Sequence, residues 1–383
     1  MGSSVQGTAA ALAETQQKAT HYYQRPDDNV EFDATRTSLA GYSTELRFAK
    51  VGGRRTVFET GYGRRSAGFE LNDIGFLQRA DQQTWTNWFA LRFNNPNKVF
   101  QRLNWNFNWW QYWTLEGLPT ERAFNTNIHT QLNNRWWLHL GGTHGVGQWY
   151  CDRNCTRGGP ALRLEPGFSP WGGLEGDSRK AVVPSLWFNY SRNDGGRSHY
   201  LNLNPSVQFK VSTRFSSSLS ANYSRNEDDS QWFRNIVDNA GVTHYVFAAL
   251  DQKTLGLTWR LNYTFTPTTS FQWYANPFIS KGEYSQVREL NNARAASYDD
   301  RFKPYDETVL ASQPGFNVKQ FRSNAVFRWE YRPGSTLFLV WSQGREEFAP
   351  QMGNSSFRGD FDDLFSTRAD NRFLVKMSYW LNR

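Results

Sequence analysis

The sequence has no run approaching the ~18 consecutive apolar residues of a transmembrane helix, so none is expected. No apolar segment follows Met1-Gly2-Ser3-Ser4, so no secretory signal is visible. Cysteine is almost missing. Cys151 and Cys155 stand close together in CDRNC. In an oxidising compartment such a pair is read as a small-loop disulfide, with free thiols as the reduced alternative. A metal site would need two further ligands, and His144 fits no zinc spacing. The six histidines (His21, His129, His139, His144, His199 and His244) form no HExxH motif, and no GxSxG is present. No catalytic constellation and no cofactor are therefore assigned. A rim hydrolase built on His129 and a neighbouring Ser or Thr stays open as a third reading. Asp299, Asp300, Asp360, Asp362 and Asp363 lack EF-hand spacing and read as solvated loop charge.

What the chain does contain is unusual in combination. Only 38% of the 383 residues are hydrophobic, yet 16% are aromatic and 17 are Trp. Mean hydropathy is −0.71. Abundant aromatics argue against disorder. The net charge of +8 is spread along the chain, whereas nucleic-acid binding would concentrate it on one face. No nucleic-acid partner is expected.

The apolar residues recur with period 2. In Val318–Gln343, Phe321, Ala325, Phe327, Trp329 and Tyr331 share one face, with Arg322, Asn324, Arg328, Glu330 and Arg332 between them. Pro333-Gly334 then turns the chain into Leu337, Leu339 and Trp341. Side chains alternate across a strand, so each run has an apolar and a polar face. Phe100–Trp113 repeats the pattern, with Leu103, Trp105, Phe107 and Trp109 opposite Asn104, Asn106 and Asn108. Tyr200–Val211 and Leu255–Phe265 repeat it again.

Connections alternate between short and long. Short ones fall near residues 52, 95, 133, 177, 212, 267 and 334; long ones cover 64–81, 146–160, 225–243, 286–316 and 345–370. Membrane barrels show this asymmetry. A propeller would repeat at roughly 40–50 residues, and no such repeat is visible. A soluble sandwich rarely carries so many Trp on single strands. The expectation is an all-β, transmembrane, antiparallel up-and-down β-barrel of roughly 14–16 strands. It has short periplasmic turns and long extracellular loops. Residues 1–40 read as an irregular segment with a short helix over Ala9–Gln17 and a partial strand, and 41–383 as the barrel.

Seven segments resemble one known family: HYYQRPD (21–27), TRTSLAG (35–41), GFELNDIGFLQRAD (68–81), TRGGP (156–160), FAALDQKTLGLTWRLNYTFTP (247–267), NAVFRWEYRPGSTLFLVWSQ (324–343) and DNRFLVKMSYWLN (370–382). In this order they resemble the C-terminal outer-membrane barrel of the family known as domain of unknown function 5916. Many of its members carry an N-terminal family-9-like carbohydrate-binding domain. The resemblance implies that this sequence begins near the middle of a family barrel, as a fragment, a late start or a smaller barrel. It implies a bacterial outer-membrane location, with the lipid bilayer and the outer-membrane assembly machinery as partners. The final Tyr379-Trp380 stands where that machinery reads an aromatic, followed here by Leu381-Asn382-Arg383.

With the apolar face toward lipid, Arg92, Lys210, Arg260, Arg322, Arg328 and Glu330 become candidate lumen-lining residues, as do Trp110, Tyr112, Tyr274 and Trp380. A basic lumen suits a pore or docking site for anionic or glycan-related solutes. The alternative is an anchoring barrel with a plugged lumen that serves a carbohydrate-binding domain. Phe338 and Val340, which interrupt the polar face, favour the plugged form.

Overall fold

A computed structural model describes residues 1–72, 75–354 and 356–381. Asp73 and Ile74 of the 64–81 connection, and the terminal Asn382 and Arg383, lie outside the described residues. Strand makes up 61% and helix 8%, so the fold is all-β. No helix is long and apolar enough to cross a membrane, which says nothing about strands.

The chain opens with β1 (Gly2–Gln6) and α1 (Ala9–Gln17). Thr8 caps α1, its hydroxyl accepting from the Ala11 N–H at 3.3 Å. The next six strands are β2 (Ser38–Lys50), β3 (Thr56–Arg65), β4 (Gln82–Phe93), β5 (Phe100–Trp113), β6 (Pro119–Leu132) and β7 (Trp137–Gly145). A small hairpin, β8 (Trp149–Cys151) with β9 (Leu162–Leu164), precedes β10 (Phe168–Glu175), β11 (Val182–Asn193) and β12 (Ser198–Lys210). Three long strands follow: β13 (Phe215–Val237), β14 (Thr243–Thr266) and β15 (Thr269–Leu290). The chain ends with α2 (Tyr298–Arg301), β16 (Phe302–Pro304), β17 (Gly315–Arg332), β18 (Ser335–Ala349), α3 (Phe357–Ser366) and β19 (Asp370–Met377).

One antiparallel sheet holds 17 strands, and β8–β9 stand apart from it. β2–β7, β10–β15 and β17–β19 each pair with the next in sequence, forming an up-and-down meander of fifteen long strands. β1 pairs with the first residues of β2, and β16 with the end of β15. No register joins β19 to β2 among the described residues, so the closed cylinder expected from the sequence is not found. Fifteen alternating strands leave the first and last running the same way, so they cannot pair antiparallel with each other. β19 is exposed along its length and β2 from Thr44 onward: Leu46 of β2 is 72% exposed and Phe373 of β19 is 78% exposed.

Short turns gather at one end of the sheet and longer connections at the other. At the turn end, Gly334 has φ +76°, which a side chain would strain, and it closes the β17–β18 hairpin. The 225–243 connection, read as a long loop, is largely strand, while 286–316 keeps a long connection over 291–314. β13 and β14 pair through Val237 and Thr243, leaving five residues between them. β15 runs to Leu290 and β17 starts at Gly315. The alternation fades in β13 because register shifts at Asp228/Gln231 and Trp232/Arg234 break the phase.

The apolar face is the exposed one. Phe89, Trp105, Phe124, Leu140, Leu186, Leu219, Trp259, Trp329, Leu339 and Trp341 form a belt that no part of the chain covers. The polar face is concave. A cavity of ≈440 Å³ is lined by polar-face residues of β2–β6, including Glu45, Arg47, Thr84, Tyr112 and Glu121, with Gln78 and Arg79 of the β3–β4 connection at its rim. Buried clusters are small and lie mostly at the loop end, as with Leu12, Tyr23 and Leu39.

Candidate functional site

Because adjacent strands are locked in register, polar-face residues far apart in sequence become neighbours. On β4–β7 they form an amide ladder. The Trp88 indole N–H donates to Asn106 Oδ1 at 3.1 Å, and Asn106 Nδ2 donates to Asn127 Oδ1 at 2.8 Å. Asn127 and Asn108 both donate to Asn125 Oδ1, at 2.6 and 3.0 Å, and Asn125 donates onward to Thr143 Oγ1 at 2.9 Å.

Nearer the turn end is an aromatic stack. His129 and His139 are register partners with Nδ1 atoms 2.7 Å apart, so one ring donates and the other accepts. His139 lies between Trp137 (5.7 Å, 7° between planes) and Trp187 (4.9 Å, 20°). The Arg102 guanidinium sits 4.5 Å over Trp137. Trp171 lies 5.9 Å from His129. Glycine makes room for both neighbouring indoles: a Cβ on Gly141 would meet Trp171, and one on Gly173 would meet Trp187, each at 2.5 Å. Nothing local in the sequence marks this cluster, since it joins residues of β5, β6, β7, β10 and β11.

The strand residues singled out from the sequence share the phase of the polar face but do not converge, and Trp380 lies past the end of β19. The Arg92 guanidinium lies over Trp88 at 6.0 Å, beside Arg54 and Arg55 at the turn end. Lys210 donates to the Ser178 carbonyl at 2.7 Å. Arg260 stacks over Tyr274 at 4.7 Å. Arg322 pairs with Glu346 at 2.8 Å, and Arg328 with Glu330 at 3.0 Å. Glu330 also accepts from the Gly334 N–H. Trp110 donates to Glu121 at 2.6 Å. Trp380 packs at the Gly334 turn. Val340 aligns with Val326 and Leu374, making an apolar strip across β17–β19 on the otherwise polar face. Leu374 is 59% exposed, so nothing seals that strip.

The loop end carries a cap. Leu39, on the polar face of β2, packs against Leu12 and Tyr23, which seats the N-terminal segment over the concave side. The Arg25 side chain is 1% exposed among four carboxylates: Asp28 at 2.7 Å, Asp27 at 3.0 Å, Glu116 at 3.5 Å and Asp152 at 3.6 Å. Arg79 clamps Asp152 with two bonds of 3.0 and 2.7 Å. Arg153 donates to the carbonyls of Ala19, Thr20 and Ala80. Burial pushes the Tyr22 and Tyr23 hydroxyls up to about 12 and lowers the Arg153 guanidinium to about 10. The Asp81 carboxyl is likewise raised by burial. Cys151 and Cys155 are joined by a disulfide within this assembly, with Cα atoms 5.9 Å apart. His21 bridges Glu70 and the Ala67 carbonyl, each at 2.8 Å. Among the described residues, no group of three or more His, Cys, Asp or Glu is placed to hold a metal ion.

The fold and site together define an all-β protein built on one large curled antiparallel sheet, with an exposed apolar face and a capped, hydrogen-bonded polar face. The chain belongs to the family described as domain of unknown function (DUF5916), whose model matches residues 3–382. No curated protein matches it.

Proposed function

We propose that this chain forms the wall of a membrane-spanning β-barrel in a bacterial outer membrane, with a lumen roofed at the loop end and a concave wall that docks solutes. One observation carries the reading: outside the patch that α3 covers on β15 and β17, the apolar face of the alternation is uncovered, and the polar face is concave and internally bonded. In water this would leave a wide apolar belt exposed, whereas a bilayer covers it. A fully antiparallel closure would take an odd number of further strands between β2 and β19. A single one would run from the turn end to the loop end, the direction β1 takes along Ser38–Tyr42. The partners are the lipid bilayer and the outer-membrane assembly machinery.

A second reading, an anchoring barrel with a plugged lumen, is favoured by the cap and by the self-paired lumen charges Arg322–Glu346 and Arg328–Glu330. Both readings share the membrane wall, and its test is direct. Tryptophan emission should be strongly quenched when the protein is refolded into vesicles of brominated lipid, because Trp105, Trp259, Trp329 and Trp341 face outward. A protein that stays soluble without detergent, with unquenched emission, overturns both.

A further inference from the structure

The polar face is not uniform, and one sector differs from the rest in chemistry. The cavity on β2–β6 is lined by charges of both signs, including Glu45, Arg47, Arg65, Arg79 and Glu121. The cavity on β11–β15, ≈410 Å³, has no charged residue in its lining. Its size falls in the roughly 300–1,000 Å³ range of ligand pockets. Trp187 and Phe278 border it, and Asn204, Asn222, Asn276 and Ser206 supply its polar groups. Gly256 faces it without a side chain, keeping the floor open.

These groups keep hydrogen-bonding capacity after bonding one another. Asn222 donates to Asn204, and Ser206 shares one bond with Ser185 at 2.7 Å. Asn276 spends its amide hydrogens on the Leu257 carbonyl and Thr258 Oγ1, leaving its own carbonyl oxygen as an acceptor. An amide has two donors and an acceptor with two lone pairs, so the wall offers both functions with no charge. Trp187 is braced from the far side by His139 and lies over Gly173. A rigid aromatic beside uncharged donors and acceptors suits a ligand with an apolar C–H face and a rim of hydroxyls. No cation lines the cavity itself; the guanidiniums nearest along the same face, Arg260 and Arg322, are engaged with Tyr274 and Glu346.

We infer that the β11–β15 sector is a binding site for neutral saccharides. This rests on the reading of the concave wall as a docking surface and names the ligand class. The test is calorimetry on the full chain in detergent micelles, with cellobiose and maltose as neutral probes and glucuronate as the charged one. Saturable binding of a neutral probe is expected, weakened at least tenfold in Trp187→Ala and in Asn222→Ala, with glucuronate weaker than both. Trp187→Phe keeps a ring and should retain most of the affinity, which separates a stacking role from misfolding. Absence of neutral-sugar binding, equal binding by Trp187→Ala, or tighter binding of glucuronate overturns the inference. If brominated-lipid quenching persists while sugar binding is absent, only this inference falls. If quenching is absent too, the barrel reading falls with it.

Discussion

Lys281 Nζ lies 2.7 Å from Asp360 Oδ2, and both side chains are all but fully buried, at 1% and 0% exposure. Lys281 sits on the outward, apolar face of β15, in the same phase as Trp273 and Ile279. Asp360 comes from α3, which folds back over that face. Asn317 of β17 donates to the other Asp360 oxygen at 2.8 Å, and Lys281 also reaches the Asn354 carbonyl at 2.6 Å. Phe361 and Leu364 of α3 pack on Ala275 and Phe321. The helix thus satisfies a polar cluster on an apolar face that offers it no other partner.

Removing one member of this pair strands the other. Asp360→Ala is expected to destabilise the protein by about 3–5 kcal/mol, as for other broken buried pairs. The double variant Lys281→Met with Asp360→Leu should cost much less, because no lone charge remains. Urea unfolding in micelles measures both. Equal losses in the single and double variants would mean that packing, and not the charge pair, holds α3.

The belt makes its own prediction at Leu140, 48% exposed on the apolar face of β7. On a water-facing surface Leu140→Arg would change stability within about 0.5 kcal/mol. On a lipid-facing strand near the midplane it should cost ~2–4 kcal/mol. Unfolding from lipid vesicles decides between these, and a neutral result argues that β7 does not face lipid.

Much of the sheet was legible because burial on one face imposes period 2 over ten or more residues, as in Leu255–Phe265 and Phe100–Trp113. What was not legible depends on partners distant in sequence. Lys281 and Lys319 look out of phase on β15 and β17 until α3 supplies Asp360 and Asp363. The stretch Arg225–Thr243 reads as a polar loop because its strand carries register shifts, so no single face stays apolar. The cap was invisible for a similar reason: Arg25 meets Glu116 and Asp152 only after the strands are in place. The six candidate lumen residues follow from phase alone, and phase gives a face but not a position along it. Hence they scatter from β4 to β17 instead of forming one site.

At the loop end, beyond the belt, His244 links β14 to β15 through Glu289 at 2.5 Å and faces Asp238 at 3.5 Å. Lys303 reaches the other Glu289 oxygen at 2.8 Å, and Tyr305 packs on the imidazole. The hydrogen bond to Glu289 leads in raising the His244 imidazole above its usual value. Burial alone would raise the Glu289 carboxyl, but bonds from Lys303 and His244 outweigh it and hold it low. A raised histidine stabilises fully below its unfolded value near 6.5 and loses this as pH rises through the folded value. A lowered carboxylate stabilises above its unfolded value near 4.5 and loses this as pH falls through the folded value. The clip should therefore be tightest between about pH 4.5 and 6.5. Amide protection factors at Thr243–Val246 and Val287–Leu290, corrected for the intrinsic pH dependence of exchange, should be highest in that window. His244→Gln (H244Q) should flatten the alkaline limb. A profile unchanged by H244Q shows that His244 does not hold these strand ends together.

The cap gives the sharpest functional contrast. Among the described residues, Arg25 is the one cation contacting all of Asp27, Asp28, Glu116 and Asp152, so it ties the N-terminal segment to the β5–β6 and β7–β10 connections. Without it those carboxylates repel one another in a buried site, a loss of about 3–5 kcal/mol concentrated at the cap. The strands do not depend on this cluster, because their ladders close elsewhere. Arg25→Ala should therefore loosen the roof and leave the wall intact. In planar bilayers the wild-type protein is expected to stay closed or pass only small steps. Arg25→Ala should show larger and more frequent openings, with unchanged Trp quenching by brominated lipid. Arg25→Lys keeps the charge but loses the planar fork that reaches several carboxylates, so it should fall between the two. Large steady conductance already in the wild type would show that the cap does not seal the lumen, and identical traces from all three would show that Arg25 does not hold the roof.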